Sequence, residues 1–253
     1  MIYQQSKFET LVKRAGVKMD ASDHEAAMTL FEKALDINPN STDALLHRAN
    51  LFMLQNNSDR AKADLKRVIR IQPNHLLAHL RLATVFMALQ ELDDANTYVD
   101  KAEKIDNNSS EVHSYKGEIH FSKGEIAEAQ AEFEKAMECD PRNATPYINK
   151  SLVMMNVPGP NGVPDIKTSI ELMEKAIEID PHYHTAYVQL GQLKLSLATN
   201  LTEARKVIKL YDKGLEACSR TKEELKQIVS MRVLTIAQID AAEQLKMDNF
   251  SWQ

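Results

Sequence analysis

The 253-residue sequence has little glycine, proline or aromatic character and only two cysteines. Seven glycines and eight prolines leave few positions at which a helix must stop, and aromatic residues make up only 6% of the chain. Both shortages disfavour a β-sheet protein, because strands are enriched in aromatic residues and are joined by turns rich in glycine and proline. The abundant alanine, leucine, glutamate and lysine favour helices. The composition therefore predicts an all-α chain.

Several function classes lack their usual sequence features. The net charge of −5 disfavours a nucleic-acid partner, and the most basic stretch, Lys62–Arg70, has the helical spacing of a solvated face. No apolar run approaches the roughly 18 to 20 residues that a membrane span needs. Met1–Leu11 also lacks the apolar core of a secretory signal. We therefore expect a soluble segment with no membrane span of its own.

Residues arranged for catalysis or metal binding are also scarce. Cys139 and Cys218 lie far apart without CxxC spacing, so we expect two buried, reduced thiols, as is usual in the cytosol. Histidine pairs such as His75 with His79 lack a third ligand, and no HExxH motif, phosphate-binding glycine loop or nucleophile elbow occurs. The sequence predicts no metal, no cofactor and no enzymatic activity.

What the sequence does have is a repeat of nearly fixed length. Related turn motifs end at Pro39, Pro73, Asn107, Pro141 and Pro181, which are 34, 34, 34 and 40 residues apart. A 34-residue period closed by proline is typical of the tetratricopeptide repeat, in which each repeat is a pair of helices.

Residues at fixed distances from these turns support this resemblance. Small residues stand five and twelve positions before each turn and ten after it, and a larger apolar residue stands eight before it. In that order they are Ala34, Val68, Ala102, Ala136 and Ala176; Ala27, Ala61, Ala95, Ala129 and Ser169; Ala49, Ala83, Gly117, Ser151 and Gly191; and Phe31, Leu65, Val99, Phe133 and Met173. Small residues let paired helices approach closely while the larger residue fills the seam between them.

The register predicts an all-α, right-handed tetratricopeptide-repeat solenoid of about six helix pairs with a C-terminal capping helix. The repeats would occupy residues 1–221, at 8–41, 42–75, 76–109, 110–143, 144–183 and 184–221. Six extra residues in the fifth repeat place an inserted loop at 156–165. The capping helix and tail would occupy 222–253, with a helix at about 222–247 whose apolar stripe is Leu225, Ile228, Val229, Val233, Ile236 and Ile239.

The resemblance implies that the first helix of each repeat lines a concave groove, and two positions in those helices are mostly apolar. They lie seven and fourteen residues after each turn. Together with two acids beside Phe121 they give a candidate peptide-binding groove of Leu46, Met53, Leu80, Met87, Glu111, Glu118, Phe121, Ile148, Met155 and Val188. Packing between neighbouring first helices would explain the same apolar residues. Methionine-rich grooves also adapt to varied apolar ligands, and the acids could pair with bases on an amphipathic segment.

Repeats that hold the C-terminal Glu-Glu-Val-Asp of chaperones clamp its carboxylates with lysine, asparagine and arginine. The matching offsets here carry Leu46 before Asn50 and then Leu80 and Thr84. We therefore expect no chaperone-tail clamp in this chain.

Four stretches of the second half resemble a particular receptor. Gly117–Pro141, Ile170–Pro181 in the loop-bearing fifth repeat, Ala186–Leu195 and Ile236–Met247 are similar to the C-terminal part of the tetratricopeptide import receptor of the mitochondrial outer-membrane translocase, its seventy-kilodalton subunit. The resemblance implies the precursor-binding half of a receptor on the cytosolic face of that membrane. The family's N-terminal anchor, linker and three-repeat clamp domain have no counterpart in the sequence.

The resemblance also implies partners. They would be precursors of hydrophobic carriers, internal targeting segments and other translocase subunits, with chaperones contacting only a region absent here. Two alternatives remain open: a cytosolic scaffold or co-chaperone that holds one fixed partner helix, and the regulatory repeat region of an enzyme.

Overall fold

A computed structural model describes residues 2–158, 162–217 and 222–244. Within these ranges the chain forms thirteen α-helices and no strand, which confirms the predicted all-α fold. The helices are α1 (Ile2–Asp20), α2 (His24–Ile37), α3 (Thr42–Leu54), α4 (Ser58–Ile71), α5 (Leu76–Ala88), α6 (Leu92–Ile105), α7 (Ser110–Lys123), α8 (Ile126–Cys139), α9 (Thr145–Asn156), α10 (Ile166–Ile179), α11 (His184–Leu197), α12 (Leu201–Ala217) and α13 (Lys222–Gln244).

The chain forms two compact units, and each is described by itself. Unit 1 is Met1–Lys123 and holds α1 to α7, while unit 2 is Gly124–Gln253 and holds α8 to α13. Consecutive helices pack against each other in pairs, for example α3 with α4 and α5 with α6 in unit 1, and α9 with α10 and α11 with α12 in unit 2. Helix α1 begins at Ile2, ahead of the predicted first repeat at residue 8, because nothing in residues 2–7 interrupts a helix.

A backbone feature repeats with the same 34-residue period as the sequence. Ser22, Asn56, Gln90 and Gly124 all have φ between +56° and +79°. Around Asn56, the Asn57 N–H donates to the Phe52 carbonyl and the Asn56 N–H to the Met53 carbonyl, which is the Schellman arrangement that ends a helix. The turn between the two helices of a repeat therefore has a left-handed residue at the same place each time. Only one of these four residues is glycine.

The predicted seam residues are buried, as expected. Of the small residues five and twelve positions before the turns and the larger residues eight before them, none is more than 1% exposed. The fifth repeat carries two serines where other repeats have alanine or glycine. The Ser151 hydroxyl donates to the Ser169 carbonyl at 2.9 Å, and the Ser169 hydroxyl donates back to the Ser151 carbonyl at 3.2 Å. Both polar groups are therefore satisfied inside the seam.

The seam between α11 and α12 uses glycine and tyrosine instead. A Cβ atom at Gly191 would lie 2.3 Å from Cε1 of Tyr211, and a Cβ atom at Gly214 would lie 2.8 Å from Cγ of Tyr187. Both tyrosines are fully buried. Each ring thus occupies the space that the missing side chain of the opposite helix leaves.

Helix α13 packs on α11 and α12. Two ion pairs join it to α12, one between Arg232 Nε and Asp212 at 2.6 Å and one between Arg205 and Glu243. These pairs lie near the middle and the C-terminal end of α13. All four side chains are partly exposed, so the pairs add little to the packing that orients α13.

The predicted apolar stripe of α13 is only partly correct. Ile228 and Ile239 are buried, but Val229 and Val233 are 44% and 56% exposed. The contact face instead includes Thr235 and Ala242, which are 0% and 1% exposed. The two valines therefore point away from the contact face. Residues 245–247 of the predicted helix, like the tail and Cys218, lie outside the described residues.

The inserted loop of the fifth repeat leads into α10 through a capping residue. The Asp165 carboxylate accepts the backbone N–H of Thr168 at 3.0 Å and its hydroxyl at 2.8 Å, and these bonds lower the pKa of Asp165. Residues 159–161 of the loop lie outside the described residues.

Candidate partner-binding strip

The predicted groove residues divide between the two units. Leu46, Met53, Leu80, Met87, Glu111, Glu118 and Phe121 belong to unit 1, whereas Ile148, Met155 and Val188 belong to unit 2. Each set is considered separately.

The position seven residues after a turn belongs to the core. Leu46, Leu80 and Ile148 are only 8%, 1% and 3% exposed, and Ser114 at the same offset is buried as well. Their side chains face the neighbouring helices, so they present almost no surface to a partner. We correct the prediction at these three residues: Leu46, Leu80 and Ile148 are packing residues rather than binding residues.

The position fourteen residues after a turn remains accessible in unit 1. Met53 and Met87 are half-buried and pack against the unit 1 core from its edge, and Phe121 is 36% exposed. The two offsets lie on the same side of each first helix, because seven residues make nearly two full turns. The residue fourteen after the turn stays accessible because α3, α5 and α7 end shortly after it.

Two further apolar residues of unit 1 were missed by the sequence argument. Leu77 is 41% exposed and Leu54 is 60% exposed. They lie four and fifteen residues after a turn. In α5, Leu77, Thr84 and Met87 share one face because helical residues seven and three apart align. We call Met53, Leu54, Leu77, Met87 and Phe121 the apolar strip.

Polar groups lie between the apolar members of the strip. The hydroxyls of Thr84 in α5 and Tyr115 in α7 are 3.1 Å apart, which joins two first helices that also pack together. Asn50 in α3 is half-buried, and its Oδ1 has no hydrogen-bond partner among the described residues. Glu118 in α7 is half-buried as well. The strip thus offers apolar surface interrupted by polar side chains.

One end of the strip opens into a cleft of about 680 Å³. The cleft is lined by residues 72–77, which include the turn from α4 to α5, and by Glu111 in the first turn of α7. Leu77 therefore belongs to both the strip and the cleft wall.

The unit 2 candidates form no comparable surface. Val188 in α11 is half-buried and packs against the unit 2 core, and Met155 lies in the last turn of α9. Ile148 is buried, as noted above. The accessible candidates are therefore concentrated in unit 1.

Two histidines have a structural role in the turns that precede α5 and α7. A ring nitrogen of His79 bonds the Pro73 carbonyl at 2.8 Å, and one of His113 bonds the Asn107 carbonyl at 3.2 Å. Each lies six residues after a turn, where Tyr147 similarly donates to the Pro141 carbonyl at 3.3 Å. Because a carbonyl only accepts, each histidine is a donor here and ties α5 or α7 to its preceding turn.

Neither a metal-ligand cluster nor a membrane-spanning helix occurs in the described part of the chain. No group of three or more His, Cys, Asp or Glu side chains there is placed to hold a metal ion. None of the described helices combines the length and apolar character needed to cross a membrane. Cys139 is half-buried rather than buried as predicted.

A family model described as a tetratricopeptide repeat-like domain matches residues 3–156, more than half of the chain. No curated protein matches the sequence. Among solved structures, the chain is similar to yeast Tom70, with a TM-score of 0.71 and 21% identity over 93% of this chain. It spans about half, 48%, of the Tom70 chain.

Bacterial tetratricopeptide repeat proteins are similar to a comparable degree. A thermophilic one from Thermus thermophilus has a TM-score of 0.65 and 19% identity, covering 74% of this chain and 98% of that one. Another, from Parabacteroides merdae, has a TM-score of 0.68 and 17% identity, covering 89% and 84%. At these identities the likeness shows a shared solenoid fold alone.

Proposed function

Because the chain belongs to the tetratricopeptide repeat-like family, whose fold is a protein-interaction scaffold, we propose that it binds segments of other proteins through the apolar strip of unit 1. The observation that carries this proposal is the exposure of Leu54, Leu77 and Phe121 on the first helices. Large apolar side chains left on one face mark an interaction surface. Methionines at its edge can repack around different ligands.

The bound segments, in this proposal, are hydrophobic or amphipathic parts of mitochondrial precursor proteins. The support is the sequence resemblance of Gly117–Pro141, Ile170–Pro181 and Ala186–Leu195 to the import receptor, together with the fold shared with yeast Tom70. The chain would then act at the cytosolic face of the mitochondrial outer membrane beside other translocase subunits. Chaperones would contact a region outside this chain.

Binding of labelled peptides to the full chain tests the proposal. Peptides from hydrophobic carrier precursors should bind with micromolar affinity in fluorescence anisotropy. Phe121→Asp and Met87→Asp should each weaken binding at least tenfold, because an apolar ligand would bury an unpaired carboxylate. Phe121 is the cleaner site, since Met87 also packs against the core.

The matched control is Val17→Asp, which places the same charge on an exposed apolar residue of α1, a helix that contributes no residue to the strip. It should leave affinity unchanged. Wild-type affinity in a folded Phe121→Asp protein would place the binding surface elsewhere. Tight binding of one partner helix, with no binding of varied precursor peptides, would favour a scaffold instead of a receptor.

A further inference from the structure

The cleft at the end of the apolar strip has a mixed lining that selects a particular kind of side chain. Its walls include the exposed Leu77 side chain and the neighbouring Leu76, and its rim carries the exposed carboxylate of Glu111. A purely apolar ligand would leave that carboxylate desolvated without a partner, which is unfavourable. A purely polar ligand would gain nothing from the leucines.

The lining of the cleft itself carries charge of one sign, while Lys101 and Lys104 line a neighbouring pocket on the other side of Pro73 and Asn74. Glu111 is the charged residue of the lining, and no lysine or arginine contributes to it within the described ranges. His75 also lines the cleft, but its Nδ1 accepts the Ala78 N–H at 3.3 Å. The ring is therefore engaged in capping the N-terminus of α5.

We propose that this cleft binds one lysine or arginine side chain of the partner segment, with its aliphatic stem on Leu77 and its charged head at Glu111. Long basic side chains combine an apolar stem with a cationic end and so match both parts of the lining. The proposal rests on the proposed function of the strip. It adds a defined position at which a bound segment must be basic.

The geometry also sets a spacing. Leu77 and Met87 are ten residues apart in α5, which is about 15 Å along the helix axis. A segment that fills both ends needs its basic residue about 15 Å from the apolar residue that covers Met87 and Phe121. This corresponds to roughly ten residues in a helical segment or four to five in an extended one.

Glu111 also lies in the first turn of α7, where its negative charge interacts favourably with the helix dipole. A purely structural role predicts that removing its charge changes stability and affects all ligands equally. The cleft proposal predicts a loss confined to ligands with a basic residue at the right position. The two roles are therefore distinguishable.

The test compares the affinities of two proteins, the wild type and Glu111→Gln, for two peptide probes. The probes are a fluorescein-labelled, 20-residue amphipathic peptide with one lysine ten residues from a phenylalanine, and the same peptide with norleucine in place of lysine. Norleucine keeps the apolar stem and removes the charge. Glu111→Gln should weaken the lysine peptide five- to tenfold and change the norleucine peptide less than twofold.

The matched control is Glu91→Gln, which removes an exposed carboxylate that precedes α6 and makes no side-chain capping bond. It should change neither affinity. Equal losses for both peptides with Glu111→Gln, or no loss for either, would overturn the cleft proposal while leaving the strip intact. If neither probe peptide binds the wild-type chain, and carrier-precursor peptides do not bind it either, the proposed function is overturned as well.

Discussion

Single residues decide how closely the helices of this protein approach one another. Most seams are closed by alanine, but α11 and α12 use Gly191 and Gly214 to accommodate two buried tyrosine rings. In the fifth repeat, two serines bond each other's backbone carbonyls instead. The small position is therefore filled in three chemically different ways that all bring the helix backbones close together.

Gly191→Ala should destabilise the protein by about 1–3 kcal/mol. The added Cβ would lie 2.3–2.4 Å from Tyr211, whose ring is fully buried and cannot move aside without shifting its neighbours. Denaturant unfolding measures the effect as a lower midpoint.

Gly16→Ala is the matched control, because nothing lies within 4 Å of the new Cβ in α1. Alanine is a better helix former than glycine, so this variant should be more stable by about 0.5–1 kcal/mol. Equal effects of the two substitutions would show that close packing at Gly191 is not what limits that position.

At the scale of the helix, the ends are determined by backbone conformation as much as by sequence. The left-handed residues at the turns inside repeats are Ser22, Asn56 and Gln90 in unit 1, and none of them is glycine. At each of them Schellman bonds accompany a conformation that costs energy in non-glycine residues. The sequence contains no comparable signal at these positions.

Helix α13 illustrates the difference between a helix and its orientation. Its existence follows from a long stretch without breakers, but its contact face is set by how it packs against α11 and α12. Val229 and Thr235 lie about 120° apart around the helix axis, and Thr235 is the one that is buried. Periodicity alone could not choose between these faces, because α13 carries apolar residues around most of its circumference.

The packing of α13 has a measurable pH dependence through Tyr211. Burial raises the pKa of Tyr211 to about 12, and the adjacent Thr235 of α13 offsets this only in part. In the unfolded chain the same phenol ionises near its ordinary pKa of about 10. Stability from the un-ionised phenol is therefore complete below pH 10 and is lost as the pH rises towards 12.

By pH 11 the wild-type protein should lose roughly 1 kcal/mol more than Tyr211→Phe, relative to pH 9. Guanidinium unfolding of both proteins at the two pH values measures this difference. The other tyrosines and the lysines titrate in both proteins, so their contributions to the pH dependence of stability cancel in the comparison. Parallel losses would mean that the Tyr211 phenol reaches solvent in the folded state.

For the molecule as a whole, the balance between apolar and acceptor groups on the first helices decides which ligands bind. A chaperone tail ending in Glu-Glu-Val-Asp needs basic and amide donors. The matching positions carry Leu46 and Leu80, which are buried, and Thr84, whose hydroxyl bonds Tyr115. Such a tail would lose hydration without gaining charge-assisted bonds.

Calorimetry with two peptides tests this selectivity. Carrier-precursor peptides should release heat on binding with an affinity that salt weakens only in part, because most of the contact is apolar. A Glu-Glu-Val-Asp peptide should show no binding at the same concentrations. Tight, salt-sensitive binding of that tail, without heat from the precursor peptides, would identify a co-chaperone.

The sequence by itself determined the helical fold and its seams. Residues such as Ala129 and Phe133 could be assigned because a 34-residue period repeats the same local packing problem, so each repeat supports the interpretation of the others. The accessible residues Met53, Met87 and Phe121 could be found in the same way, since they occupy one offset.

Tertiary structure alone decided which apolar residues are covered. Leu80 and Leu77 lie three residues apart in α5, yet one is 1% and the other 41% exposed. The difference arises because α5 packs on α4, α6 and α7 at once, and the positions of three neighbours are not encoded in the periodicity of one helix. The cleft between Leu77 and Glu111 has the same origin, since it depends on a turn and a helix 34 residues apart meeting in space.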